Sequence, residues 1–331
     1  MKKTIYIFSN GRLKRKDNTL FFETKDGNKS YIPVENVKEI YAFGEIDLNS
    51  KILNFLSQKE MILHYFNYYG YYAGSFYPRE HYNSGFMILR QVEHYQDNQK
   101  RLLIAKKIVE GAAKNTLKIL KYHNRRGKNI NTPIEEIEGF YQLSMEQENI
   151  EQLMAFEGQI KQTYFKAFST IIDNPEFQFE SRTRRPPKDY INTLISFSNS
   201  VLYTQVLSEI YQTHLDPRIG YLHTTNFRRF TLNLDIAEIF KLVIGDRTIF
   251  SVLNKRIITE KDFDKNFDGI ILKESGKKKF LQHLEERLKQ TIKHSGLKKN
   301  ASYRRLIRLE LYKLEKHLMN EELYKPFVMD W

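Results

Sequence analysis

The sequence predicts an α+β protein, with a small N-terminal β-rich domain over residues 1–82 and a larger, mostly α-helical domain over residues 83–331. Two observations predict it. Up to about residue 80 the apolar residues come in short runs separated by turn dipeptides, and from Asn83 onward they recur at helical spacing. A third bounds the class: 41% hydrophobic and 28% charged residues are ordinary for a globular protein, and 331 residues suffice for two domains.

The first strand is read over Thr4–Phe8, followed by Thr19–Glu23, Lys29–Pro33 and Val37–Tyr41, with turn signals at Asn10-Gly11 and Asp26-Gly27. Leu48 to Lys59 places Ile52, Leu53 and Leu56 on one side of a helix, and Met61–Phe66 returns to strand. The stretch from His64 to Tyr77, with six tyrosines and a central Gly70, reads as a β-hairpin with core or dimer-contact roles rather than as a platform for stacking bases. In the second domain the run from Gln99 to His123 carries Leu102, Ile104, Ile108, Ala112, Leu117 and Leu120. Breaks between helices are expected near Asn129–Pro133, Asp173–Lys188, Leu215–Gly220 and Lys273–Lys277.

A net charge of +13 makes nucleic acid the leading partner class, since such a field attracts polyanions. From Gly276 to Trp331 fourteen Lys or Arg face seven Asp or Glu, a local net of +7. The absence of cysteine excludes disulfides, thiol catalysis and Cys-based zinc sites. The basic start at Lys2-Lys3 is followed by an apolar run that ends by Ser9, too soon for a signal peptide. No stretch reaches the roughly 20 apolar residues that span a bilayer, so the expected location is cytoplasmic. Glu274–Lys279 holds a Gly-Lys pair without the earlier glycine and preceding strand of a phosphate-binding loop.

Two carboxylates break the helical pattern. Glu157 shares a face with Leu153, Ile160 and Tyr164, and Glu238 lies four residues from both Leu234 and Leu242. A buried carboxylate needs a cation, a hydrogen-bond network or a raised pKa, and for Glu157 alone a buried pair with an arginine is the simpler account. Asp235 stands three residues before Glu238 on the same side, where like charges repel unless neutralised. The turn Leu215-Asp216-Pro217-Arg218-Ile219-Gly220 delivers His223. One divalent ion explains the group, because carboxylate oxygens and an imidazole suit Mg²⁺ or Mn²⁺. Arg228 and Arg229, between His223 and Asp235, either clamp phosphates beside the ion or neutralise the acids internally.

The ordered set of Glu157-Gly158 with Tyr164-Phe165, Asp189 to Phe197, Leu215-Asp216-Pro217 through His223, Asp235 to Glu238, and Tyr303 to Glu310 resembles the metal-dependent integrases of CRISPR adaptation, the first of the numbered Cas proteins. The likeness runs over nearly the whole chain. It implies that Glu157, His223 and Glu238 are the metal ligands and Asp235 an accessory acid, and that Asn192 and Tyr203 lie on a helix near the site. Family members often carry Asp where this chain has Glu238. The resemblance further implies a homodimer formed through the β domain, a second adaptation protein as partner, and double-stranded DNA as substrate, with short foreign fragments joined to the CRISPR repeat. Arg304, Arg305 and Arg308 fall along one flank of the closing helix, and they serve either the DNA backbone or a solvated face. Two other readings remain open from the residues: a non-catalytic nucleic-acid scaffold whose acids form an ion-pair network, and an unrelated metal-dependent nuclease acting on RNA.

Overall fold

A computed structural model of the chain describes residues 3–78, 82, 84–184, 186–225, 230–266, 269–294 and 299–330. The chain divides into two compact units, Met1–His81 and Tyr82–Trp331.

The first unit contains β1 (Lys3–Ile7), β2 (Gly11–Lys16), β3 (Thr19–Thr24), β4 (Lys29–Ile32), β5 (Val37–Ala42), β6 (Ile46–Asp47), α1 (Ser50–Gln58), β7 (Ile62–Phe66) and β8 (Tyr72–Phe76). They form two four-stranded sheets, ordered β1-β5-β7-β8 and β4-β3-β2-β6. The first is parallel from β1 to β7 and ends in an antiparallel β7–β8 hairpin. Its core includes Leu13, Leu20, Phe22, Ile40, Phe55, Leu56 and Leu63. Helix α1 starts at Asn49, whose side-chain oxygen accepts the Ile52 N–H at 3.1 Å. Strand β2 is absent from the sequence reading because Leu13 is the lone large apolar residue among Gly, Lys and Arg. That leaves no alternation to detect, and pairing with β3 defines the strand. The tyrosine-rich stretch is the expected hairpin: its Phe66 stacks at 5.5 Å on Tyr41 of the neighbouring β5, and Tyr68 and Tyr69 stand exposed at its turn.

The second unit runs through α2 (Gly85–Gln96), α3 (Asn98–Arg125), α4 (Asn131–Glu146), α5 (Ile150–Lys166), α6 (Phe168–Ile171), α7 (Tyr190–Ile210) and α8 (Leu232–Phe240). A π-helical segment, Lys241–Asp246, continues α8 into α9 (Arg247–Asn254). Then follow β9 (Phe263–Asn266), β10 (Gly269–Leu272), α10 (Glu274–Lys289), β11 (Thr291–His294), β12 (Lys299–Ser302) and α11 (Tyr303–Leu318). Side-chain caps at Ser84, Asp97, Asn149 and Asp189 start four of these helices where the sequence changes from polar to apolar. Helix α7 is apolar on nearly every side and buried almost throughout, as a helix at the centre of a bundle must be. It packs against α8, the π segment and α11, and α3 covers α8 from another side.

Two features of the second unit depart from the sequence reading. The hairpins β9–β10 and β11–β12 interrupt the helical unit, and their four-residue strands are too short to show a period. The break expected at Lys273–Lys277 is instead the first turn of α10. Gly276 is buried there because a Cβ would lie 2.5 Å from Leu272 Cδ1, so its role is close packing and not chain reversal.

The end of the chain returns to α8. Asn115 on α3 donates through Nδ2 to the carbonyls of Ile239 at 3.0 Å and Phe327 at 3.1 Å, and accepts the Met329 N–H at 2.8 Å. Phe327 stacks on Phe240 with ring centroids 5.4 Å apart. The fully buried Asn115 amide thus fixes the C-terminal turn of the helix that carries Asp235 and Glu238.

Candidate functional site

Helix α5 presents Glu157 beside the buried Leu153, Ile160 and Tyr164, as its spacing requires. Helix α8 presents Glu238, 2% exposed. The two glutamates, 81 positions apart in the chain, meet on one ammonium group: Lys161 Nζ ion-pairs with Glu157 and lies 2.8 Å from Glu238 Oε2. Lys241, three residues after Glu238, approaches its other oxygen at 2.6 Å and stands 4.7 Å from the centroid of the Tyr203 ring. The partner of Glu157 is therefore a lysine on its own helix, not an arginine elsewhere.

Burial alone would push the Glu238 carboxyl up, but the charges of Lys161 and Lys241 override it and hold Glu238 far below the usual carboxylate range. Burial likewise works against the Lys161 ammonium, and Glu238 and Glu157 together raise its pKa above the ordinary value. The Lys161 side chain remains a third exposed, so solvent screens part of this attraction.

His223 comes from the loop between α7 and α8, which several contacts pin in place. Gln91 on α2 is fully buried, accepts the Asp216 N–H at 2.7 Å and donates to the Asp216 carbonyl at 3.1 Å. Arg101 on α3 donates to the Tyr221 carbonyl at 2.9 Å. Asp235, fully buried in the first turn of α8, gathers the end of the loop. Its Oδ2 accepts the N–H groups of Tyr221 at 2.5 Å and Leu222 at 3.0 Å, and its Oδ1 accepts the His223 N–H at 3.0 Å. Gly220 lets the loop come this close, since a Cβ there would sit 2.9 Å from Asp235 Oδ2.

Asp235 Oδ1 also lies 2.7 Å from His223 Nδ1. With Nδ1–H donating to the carboxylate, Nε2 is the nitrogen left to a ligand. Burial disfavours the His223 imidazolium, yet the Asp235 hydrogen bond and charge, helped by Glu238, raise its pKa above the usual histidine value. Asp235 thus neutralises a nest of backbone N–H groups and orients a histidine, which answers how it can stand on the same side of the helix as Glu238.

Two carboxylates that share one cation, with an imidazole whose charge Glu238 influences, suit a hard divalent ion in donor type. Among the described residues no three His, Asp or Glu side chains stand close enough to hold an ion in this arrangement. The glutamates are closed onto lysine, and His223 is drawn to Asp235.

Asn192, expected on a helix near the site, and Arg304 and Arg308, expected at the DNA backbone or on a solvated face, are otherwise engaged. Asn192 is fully buried; its oxygen accepts from Arg182 Nη1 at 2.7 Å and from the Thr183 N–H at 3.0 Å, and its amide nitrogen donates to the Ser181 carbonyl at 2.8 Å. It anchors the 181–189 loop and offers nothing outward. Arg304 is buried against Glu285 at 2.6 Å, and Arg308 donates to Glu209 at 2.7 Å. A charge at helical spacing reports a flank but not what packs there, and here α10 and α7 cover it. Arg305 is exposed, Tyr203 borders the acid cluster through Lys241, and Arg228 and Arg229 lie outside the described residues.

The sequence reading missed Lys161, Lys241 and Asp246. The signal for the first two is a repeated one, an acid on an apolar face followed one turn later by lysine, as Glu157–Lys161 and Glu238–Lys241. Asp246, at the end of the π segment, is 7% exposed, and burial pushes its pKa up to about 7 despite the nearby Tyr164 hydroxyl and Lys241. Between an unfolded value of about 4 and this folded value, the folded protein holds the extra proton, so this group makes stability fall as pH rises across that window. Asp246→Asn is expected to remove that loss, stabilising the protein relative to wild type by on the order of a few kcal/mol at pH 8 and by little at pH 4. Denaturant melts of both proteins at the two pH values check it; a constant difference would refute it.

The family model described as CRISPR associated protein Cas1 matches residues 5–286. A CRISPR-associated endonuclease Cas1 from Thermodesulfovibrio yellowstonii is 58% identical over 331 residues, covering all of both chains. The solved structure of a Cas1 protein from Thermotoga maritima superposes with a TM-score of 0.89 at 48% identity, covering 98% of this chain and 99% of that one. A casposase bound to integration product shares the fold at a TM-score of 0.86 and 19% identity, over 98% of this chain and 93% of the other. Matched over most of its length by the family model and over its whole length by a close relative, the chain belongs to the Cas1 family of CRISPR-associated proteins.

Proposed function

We propose that this protein is a divalent-metal-dependent DNA endonuclease and integrase of CRISPR adaptation, joining short foreign DNA to the CRISPR repeat by transesterification. The observation that carries the reading is the meeting of Glu157 and Glu238, from two helices, on one cationic position, with His223 held by Asp235, one turn before Glu238 on α8. Glu157, Glu238 and His223 would hold Mg²⁺ or Mn²⁺. When bound, such an ion polarises the scissile phosphate and stabilises the charge of its five-coordinate transition state.

The chain's own groups do the rest. Asp235 fixes the His223 tautomer and keeps Nε2 turned from the carboxylate it binds. Lys241, held by Glu238 and the Tyr203 ring, places a positive charge beside the acids where a phosphate oxygen needs one. A DNA 3′-hydroxyl attacks phosphorus, a new P–O bond forms, and the 3′-oxygen of the cut strand leaves with the proton. The number of phosphodiesters is unchanged, so no nucleotide triphosphate and no covalent protein intermediate are required. Water in place of the hydroxyl gives cleavage, the activity named for the Thermodesulfovibrio relative.

The +13 charge supports a DNA substrate. The family resemblance supports a pair of copies joined through the β-rich unit and a second adaptation protein as partner. Among the described residues no helix is long and apolar enough to cross a membrane.

The test detects joined product, because cleavage alone does not distinguish integration. A labelled short duplex is incubated with a repeat-containing plasmid, with Mn²⁺ or with chelator. Label should enter the plasmid in the presence of Mn²⁺ alone, and a 3′-deoxy end should block it. Joining in chelator, or none with any divalent metal and the partner protein, would end the proposal.

A further inference from the structure

Lys161 is one turn after Glu157, and its ammonium serves both glutamates at once. A cation shared by acids on α5 and α8 cancels their repulsion and ties the two helices together. Its setting differs from that of Lys241. The Lys241 side chain is 14% exposed and lies against the Tyr203 ring, whereas that of Lys161 is 33% exposed, so its flexible stem already reaches solvent. Lys161 can withdraw without stranding a charge in the interior, and Lys241 cannot.

We propose that Lys161 is an internal counter-cation that occupies the ion's position between Glu157 and Glu238 and must be displaced when a divalent metal binds. The inference rests on the metal reading given above. It assigns Lys161 two effects that oppose each other: it holds the acid pair together when no ion is bound, and it lowers the affinity for the ion by the work of expelling the ammonium.

The test measures Mn²⁺ binding by calorimetry and thermal stability with and without Mn²⁺, on the full chain, for wild type, Lys161→Met and Lys161→Arg. Without divalent ion Lys161→Met should melt below wild type, because Glu157 then loses the ammonium of Lys161 and Glu238 keeps Lys241 alone of its two lysines. It should bind Mn²⁺ on the order of tenfold more tightly, a modest share of the attraction between unit charges at this separation. Lys161→Arg keeps the charge and should bind no more tightly than wild type. Equal or weaker Mn²⁺ binding by a folded Lys161→Met protein overturns the inference, as does a tenfold gain in Lys161→Arg. Should Lys161→Met fail to fold, Lys161→Gln replaces it with the same expectations. If both wild type and the neutral variant bind Mn²⁺ equally, this inference alone fails; if neither binds it, the metal reading fails with it.

Discussion

Glu238→Gln is expected to lower DNA joining by about a thousandfold or more, the loss of roughly 4 kcal/mol of transition-state stabilisation. The substitution keeps the size of the side chain and removes one of the two charges that converge on the cationic position. Glutamine also leaves the Lys161 and Lys241 ammonium groups without the carboxylate that both contact. Breaking a buried ion pair from one side costs about 3–5 kcal/mol, somewhat less here because Lys161 reaches solvent. Circular dichroism and melting must therefore accompany the joining assay. Glu238→Asp separates the two effects, because it restores the charge. It should recover much of the joining that glutamine loses. A folded Glu238→Gln protein joining DNA at the wild-type rate would remove Glu238 from the chemistry.

Asp235→Ala has the second large effect, and it falls on the fold as well as on the chemistry. The carboxylate accepts three successive backbone N–H groups and the His223 ring in a site with no solvent access. Each buried donor left without an acceptor costs about 1–3 kcal/mol, so a loss of roughly 4 kcal/mol or more is expected, a fall in Tm on the order of 10 °C. His223→Ala removes a ring that is 26% exposed and should cost far less stability. Both variants should lose joining, because the histidine is either missing or no longer held by Nδ1. Melting curves for the two, side by side, check the assignment. Equal stability loss in both, or Asp235→Ala with wild-type stability, would show that Asp235 does not organise the loop.

The carboxylates were legible because charge on an apolar helical face is a local anomaly that spacing exposes. Glu157 beside Leu153, Ile160 and Tyr164 needs no partner to be noticed. Asp235 was legible only as a like charge near Glu238; its bonds run to Tyr221, Leu222 and His223, and a backbone acceptor leaves no mark on residue type. The arginines of α11 show the converse. Their spacing groups them on one flank, but Glu209 and Glu285, from distant segments, decide that Arg304 and Arg308 face inward partners.

Residue pattern alone specifies the class of the fold, the change from a β-rich to a helical part, the helices whose caps and apolar stripes are local, and the acids that break those stripes. These follow from interactions within a few residues, which a linear pattern records. Packing across the fold is what makes Glu157 and Glu238 meet through Lys161, sets Asp235 on His223, joins the end of the chain to α8 through Asn115, and forms short pairs such as β9–β10. The Glu157–Glu238 and Asn115 contacts join groups far apart in the chain, and in every case packing and the need to satisfy buried polar atoms select the partner while no local periodicity names it.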